Sequence, residues 1–321
     1  MKKRKRTSLH ATFMALTAAI IVFTGCCPSQ AQKRAALITV TSPELPNSTI
    51  FAGEEIDLTT QDRRERFDRE LLSFTYSHIN TMLIIKRANR LFPVVEPLLK
   101  ECGVPDDFKY LMIIESNGDP EALSPSNAGG LWQFLEKTAR DYGLEVNSEI
   151  DERYHTEKAT RAACEYLKES YEKFGDWLTV AASYNTGRAN VIKRQERQRE
   201  QRAIDLVLPD ETSRYIFRLM AVKAVLEAPA KYGFLLHSSD LYPAIPIAKE
   251  VTVNGSIENW GDFAKKHGLT FLQLHEANHW IRRTTLTNKE RRTYKVLLPD
   301  SKALHYDPSK TKAHNPNWVV D

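Results

Sequence analysis

Asp107-Phe108-Lys109-Tyr110-Leu111-Met112-Ile113-Ile114-Glu115-Ser116 is the stretch on which the reading of this 321-residue chain turns. Phe108, Leu111, Met112 and Glu115 stand at i, i+3, i+4 and i+7, so the spacing predicts a helix with a carboxylate projecting from its apolar stripe. Burial disfavours the ionised form of such a group and raises its pKa, which leaves an acid still protonated near neutrality and able to donate a proton. The same pattern also fits a buried glutamate bonded to backbone or to an arginine, since structural networks bury acids too.

Working outward, helical patterns dominate from about residue 61 to 233. Phe67, Leu71, Phe74 and His78 follow helical spacing, and 156–174, 176–184 and 210–228 are further helices by the same criterion. Gly143 and Gly175 fall where helix C-caps belong. Residues 26–60 hold three prolines and many Ser and Thr without sustained periodicity, and read as a tether with at most local structure. Beyond Tyr232-Gly233 the pattern changes. Pro243 and Pro246 punctuate a connector over 234–247. Glu250 to Val253 then alternates like a strand, followed by two short helical segments and Thr293 to Leu298. This is a compact β-α-α-β pattern over 248–299, with 300–321 left as a C-terminal tail. The fold class expected is mainly α: a helical domain over 61–233, then a small α+β module.

Charge and composition narrow the function classes. With 42% apolar and 27% charged residues and a mean hydropathy of −0.44, neither wholesale disorder nor a multi-span membrane protein fits. The net charge of +4 comes from 45 cations against 41 carboxylates, but Lys2, Lys3, Arg4, Lys5 and Arg6 supply five of the cations and residues 1–25 carry no acid. Without that segment 40 cations face 41 carboxylates, a net of −1, so no bulk attraction for nucleic acid remains. The run Lys193 to Arg202, with five cations, two glutamates and three glutamines, lacks an apolar stripe and reads as a solvated helix or loop. Leu9 to Phe23 is apolar but, at 15 residues, short of the roughly 20 that a spanning helix needs, and behind five cations it reads as an export signal over 1–25. Phe23-Thr24-Gly25-Cys26 resembles a bacterial lipobox, which implies lipidation at Cys26 and a lipid anchor in the cell envelope, in the outer membrane facing the periplasm. Export would allow Cys102 and Cys164 to pair, but Cys164 lies within a helical pattern, and a plain buried thiol is the better reading for both.

The residues after the helix add a stronger signal. Glu115 to Gln133 resembles the signature of lytic murein transglycosylases of the soluble and membrane-bound D kind. Glu115, Ser116, Pro120, Ala122, Ser124, Ala128, Gly130, Leu131 and Gln133 match without a gap, while Gly118 stands in place of an aromatic residue and Asn127 in place of a glycine. Asn tolerates a positive φ better than other side chains, so the backbone turn survives that change. Tyr184-Asn185-Thr186-Gly187, and Glu211-Thr212 with Tyr215 and Arg218, follow in the family's order, so the resemblance covers about 61–233. It implies a catalytic domain similar to goose-type lysozyme that cleaves the β-1,4 bond of peptidoglycan and leaves a 1,6-anhydromuramic end. Glu115 would be acid and then base. Gln133, Tyr184 and Asn185 would surround the sugar, Tyr184 bonding to Glu115 or to the substrate, and Ser116 and Trp132 would complete the substrate site. The partners implied are glycan strands, with no cofactor, no metal and no nucleic acid.

Other readings stay open at this point. A lysozyme-type hydrolase would need a second carboxylate, for which Asp119, Glu136 and Asp141 are candidates. His275-Glu276-Ala277-Asn278-His279 fits the H-E-x-x-H zinc pattern literally, without an evident third ligand. The same segment is better accounted for by a resemblance of 248–299 to a degenerate LysM peptidoglycan-binding module, with Asn278 at its characteristic asparagine and Tyr294 to Pro299 as its closing strand. A non-catalytic wall-binding lipoprotein would require an inert Glu115.

Overall fold

A computed structural model describes residues 40–321. The export signal over 1–25 and Cys26 lie outside the described residues. The described part of the expected tether is not loose. Ser48–Phe51 (β1) and Glu54–Asp57 (β2) form an antiparallel hairpin with Phe51 opposite Glu54. Phe51, Ile56 and Leu58 are buried in the main core, and the Ala52 N–H donates to the Asp107 carboxylate at 2.7 Å. Three apolar residues spread over a turn-rich stretch give no periodic signal, which is why composition alone suggested a tether.

Helices carry the larger part of the molecule: Gln61–Tyr76 (α1), His78–Cys102 (α2), Phe108–Ser116 (α3), Glu136–Asp141 (α4), Thr156–Phe174 (α5), Trp177–Thr186 (α6), Arg188–Gln198 (α7) and Asp210–Glu227 (α8). The stripe Phe67, Leu71 and Phe74 of α1 is buried and α1 packs along α8, whereas His78 begins the next helix after a break at Ser77. α2 packs on α5, and α6 touches α5, α7 and α8. Gly175 closes α5 in the left-handed conformation. The nine-residue α3 is central: Phe108, Leu111, Met112 and Ile113 have no exposed surface, and Tyr110 and Ile114 are nearly as buried. A helix this short is marginal by itself and is held by its packing.

The C-terminal module has the expected order. Ile247–Val253 (β3) pairs antiparallel with Tyr294–Pro299 (β4), Val251 opposite Val296, and Trp260–Lys266 (α9) and Phe271–Glu276 (α10) lie between them in sequence. Its core of Trp260, Leu274, Trp280, Val296 and Leu298 includes Ile150 from the helical domain. Asn278, 1% exposed, joins helix to strand: its amide donates to the carbonyls of Leu274 and Leu297, and its oxygen accepts the Leu297 N–H at 2.9 Å. Neither the connector nor the tail is free of the core. Phe234, Leu236 and Leu241 are buried in it, and Trp318 packs edge-on against Phe92 while its indole N–H donates to the Leu226 carbonyl at 2.5 Å. Among the described residues no helix is long and apolar enough to cross a membrane.

Candidate active site

Glu115 sits in the last turn of α3, where the apolar anchors of that helix bring it to the floor of a cleft of about 760 Å3. The cleft is walled by Ser124, Ala128, Gln133 and Phe134 on one side and by Tyr184, Asn185, Glu211 and Tyr215 on the other. Burial pushes the Glu115 carboxyl up to about 7, against a hydrogen bond from Tyr215 and the positive charge of Arg218, which favour ionisation, while the charge of Glu211 adds to the rise. The Tyr215 hydroxyl donates to Glu115 Oε1 at 2.5 Å. Burial and the neighbouring Glu115 hold the Tyr215 phenol well above its usual pKa, so it stays a donor. The result is a half-buried acid, aimed into a solvent-reaching cleft and protonated to near neutrality. That state suits it to deliver a proton and recover it.

The expected partners divide. Gln133 and Asn185 line the cleft. The Gln133 amide is spent on the carbonyls of Ala122 and Gly130, holding the loop closed, and the Asn185 oxygen accepts from the Thr212 hydroxyl at 2.8 Å. Tyr184 also lines the cleft, but its hydroxyl donates to the Trp132 carbonyl at 2.7 Å, and of the two partners expected for it Glu115 is bonded by Tyr215 instead. Trp132 and Ser116 are corrections. Trp132 is fully buried with its indole N–H on Thr160 Oγ1, and Ser116 is buried with its hydroxyl on the Met112 carbonyl, so neither lines the cleft. An apolar ring and a back-bonding serine fill the core behind the loop more readily than they reach a ligand. Tyr215 was missed as a partner because it comes from α8, 100 positions from Glu115. The only signal for it was its place in the Glu211-Thr212 segment.

The loop between α3 and α4 is shaped by its backbone. Asn127 and Gln133 both take positive φ, 65° and 48°, and Gly130 sits against the backbone of Arg153 so closely that a Cβ would lie 1.9 Å from that carbonyl oxygen. Gly118, at φ 65°, has Ile113, Arg87 and Leu91 around the place a side chain would take, so the space an aromatic residue would fill is already occupied. Arg153 is the loop's post. Its guanidinium binds both oxygens of Asp151 and donates to the carbonyls of Asn127 and Phe134.

The other candidates separate from this site. Asp119 pairs with Arg87 at 2.8 Å and Glu136 with Arg140 at 2.6 Å, and neither they nor Asp141 line the cleft, which holds Asp210 and Glu211 as its further carboxylates. The rings of His275 and His279 stand 5.6 Å apart, and among the described residues no group of three or more His, Cys, Asp or Glu side chains is placed to hold a metal ion. Cys102 and Cys164 are free thiols, and burial together with the neighbouring Cys102 pushes the Cys164 thiol up.

Comparison with known proteins agrees with this layout. Residues 97–207 match the transglycosylase SLT domain and residues 249–302 the soluble lytic transglycosylase C-terminal LysM-like domain. Membrane-bound lytic murein transglycosylase D of Escherichia coli strain K12 is 29% identical over 244 residues, which is 74% of this chain and 52% of the relative. Membrane-bound lytic murein transglycosylase F of Salmonella typhi is 27% identical over 128 residues, 36% of this chain and 26% of that protein. The chain therefore spans about half the length of the first of these relatives. Among solved structures, a lytic transglycosylase Slt from Pseudomonas aeruginosa aligns with 42% of this chain and 23% of its own at 21% identity and a TM-score of 0.36. Residues 97–207, which include Glu115 and much of its cleft, are thus similar to a transglycosylase SLT domain, and residues 249–302 to the C-terminal LysM-like domain of soluble lytic transglycosylases.

Proposed function

We propose that this protein is a lytic transglycosylase that cleaves the β-1,4 bond between N-acetylmuramic acid and N-acetylglucosamine in peptidoglycan. The observation that carries the reading is Glu115, raised to about 7 and held by Tyr215 at the floor of the cleft. Glu115 protonates the leaving N-acetylglucosamine oxygen as the glycosidic bond breaks and positive charge grows at the muramic C1. The Glu115 carboxylate, accepting from Tyr215, then takes the proton of the muramic C6 hydroxyl as that oxygen bonds to C1. The acid is regenerated and a 1,6-anhydro ring is left in place of a water-derived hydroxyl. Tyr184, Asn185 and Gln133 supply the polar wall against which the sugars lie. Lipidation at Cys26, after export directed by residues 1–25, would hold the enzyme on the outer membrane facing the wall.

Mass spectrometry of muropeptides released from purified sacculi by residues 26–321, with Cys26→Ser and Cys27→Ser, tests the reading. Products one water lighter than hydrolysis products, absent with Glu115→Gln, are expected. Reducing muramic ends would make the protein a lysozyme-type hydrolase and turn attention to Asp210 and Glu211 as the second carboxylate. Release of nothing by a folded sample would favour a wall-binding lipoprotein.

A further inference from the structure

The loop over 117–134 has two sides. Its inner side lines the cleft beside Glu115, and its outer side faces the C-terminal module. The module lands on the segment just before Thr156. Ile150 and Ile281 form a backbone bridge, the Asp151 N–H donates to the Trp280 carbonyl at 2.9 Å, and the Arg282 N–H donates to the Glu149 carbonyl at 2.8 Å. The Glu149 carboxylate accepts the Thr287 N–H and the hydroxyls of Thr285 and Thr287, and Tyr294 donates to Glu145 at 3.0 Å. The Trp280 ring stacks with His155 and with Tyr294. Arg282 lies 4.2 Å over the ring of Tyr154 and reaches the Glu121 carboxylate at 3.4 Å, and Glu121 belongs to the loop itself.

Bonded groups run without a break from this landing to the cleft. Asp151, fixed at its N–H by Trp280, grips Arg153, and Arg153 donates to the carbonyls of Asn127 and Phe134 across the loop. A loop that carries three non-glycine residues at positive φ, Asn117, Asn127 and, in the cleft wall, Gln133, keeps that conformation only where its surroundings over-determine it. Such outside bonds are what the module's side supplies.

From this continuity we propose that the LysM-like module is a fixed strut of the active site, with Arg282 and Arg153 as positioning residues that hold the cleft wall beside Glu115. A wall-capturing arm that acts only by binding glycan would need none of these bonds. The inference rests on the transglycosylase reading for its rate assay.

The test uses residues 26–321 with Cys26→Ser and Cys27→Ser, and compares Arg282→Ala, Arg282→Lys and Glu121→Gln with the parent. Substrates are intact sacculi and a soluble peptidoglycan tetrasaccharide too short to engage cleft and module together. A misplaced wall is expected to lower kcat on the tetrasaccharide about tenfold in Arg282→Ala with KM within about twofold, since small displacements cost rate more than binding. The falling limb of the kcat–pH profile, near 7 in the parent, should move to lower pH as water reaches Glu115. Arg282→Lys should restore most of both. Sacculus pelleting by the Glu115→Gln form of Arg282→Ala should match that of Glu115→Gln alone. Unchanged kcat and pH limb on the tetrasaccharide, with loss confined to sacculus binding, would overturn the strut in favour of the capturing arm. Should Arg282→Ala fail to fold, Arg282→Lys and Glu121→Gln carry the same comparison. If the parent cleaves neither substrate, the transglycosylase reading fails, and hydrogen exchange then decides the strut alone. Faster exchange over 122–134 in the variants upholds it, and unchanged exchange there refutes it.

Discussion

Glu115, the proposed acid, also sets a stability cost. Its folded-state pKa, near 7, lies above the ordinary value of 4.5, so the native protein keeps a proton that the unfolded chain gives up between those two values. Nothing is lost below pH 4.5, and stability falls as the pH rises from there through 7, by on the order of 3 kcal/mol once both states are ionised. Glu115→Gln keeps an oxygen to accept from Tyr215 but cannot ionise. Urea denaturation should therefore find it more stable than the parent by about that amount at pH 8 and nearly equal to it near pH 4. A gap of the same size at both pH values would show that the cost of Glu115 is packing and not ionisation.

Elements place the acid. α3 reaches the cleft with its carboxylate because its other faces are buried against α2 and α8, with Phe108 edge-on to Trp177 of α6, and the loop after it turns sharply at Asn117, which caps the helix at φ 52°. The loop folds back because Gly130 allows its backbone to lie on that of Arg153, an approach no side chain permits. Gly130→Ala must separate the two backbones or distort the loop, at an expected cost of at least about 3 kcal/mol by chemical denaturation, together with loss of cleavage. A variant within about 1 kcal/mol of the parent would show that the contact yields easily.

At the scale of the molecule, the segments that flank the helical domain are built into its core. The hairpin of β1 and β2 supplies Phe51, Ile56 and Leu58, and the tail returns Trp318 to pack between α2 and the end of α8. Trp318→Ala, although it lies in a segment that composition marks as a tail, should cost about 3–5 kcal/mol and lower the thermal midpoint by several degrees, as loss of a buried indole does in any core. No change would mean the tail is docked without being needed. How much of this could be read beforehand depended on distance along the chain. Helical spacing sufficed for α3 and its misplaced acid, and the β-α-α-β order followed from alternation and turn residues, because each is a local preference of consecutive residues, while the turn at Asn127 was expected from the glycine that the resembled signature has there. Short-range pattern did not distinguish Tyr184 from Tyr215 as the partner of Glu115, did not take Trp132 and Ser116 out of the cleft, and left the hairpin and tail as loose segments. Those outcomes were decided only by tertiary structure, since each depends on which side chains distant in sequence fill the same volume and satisfy the same buried polar atoms once the helices have packed.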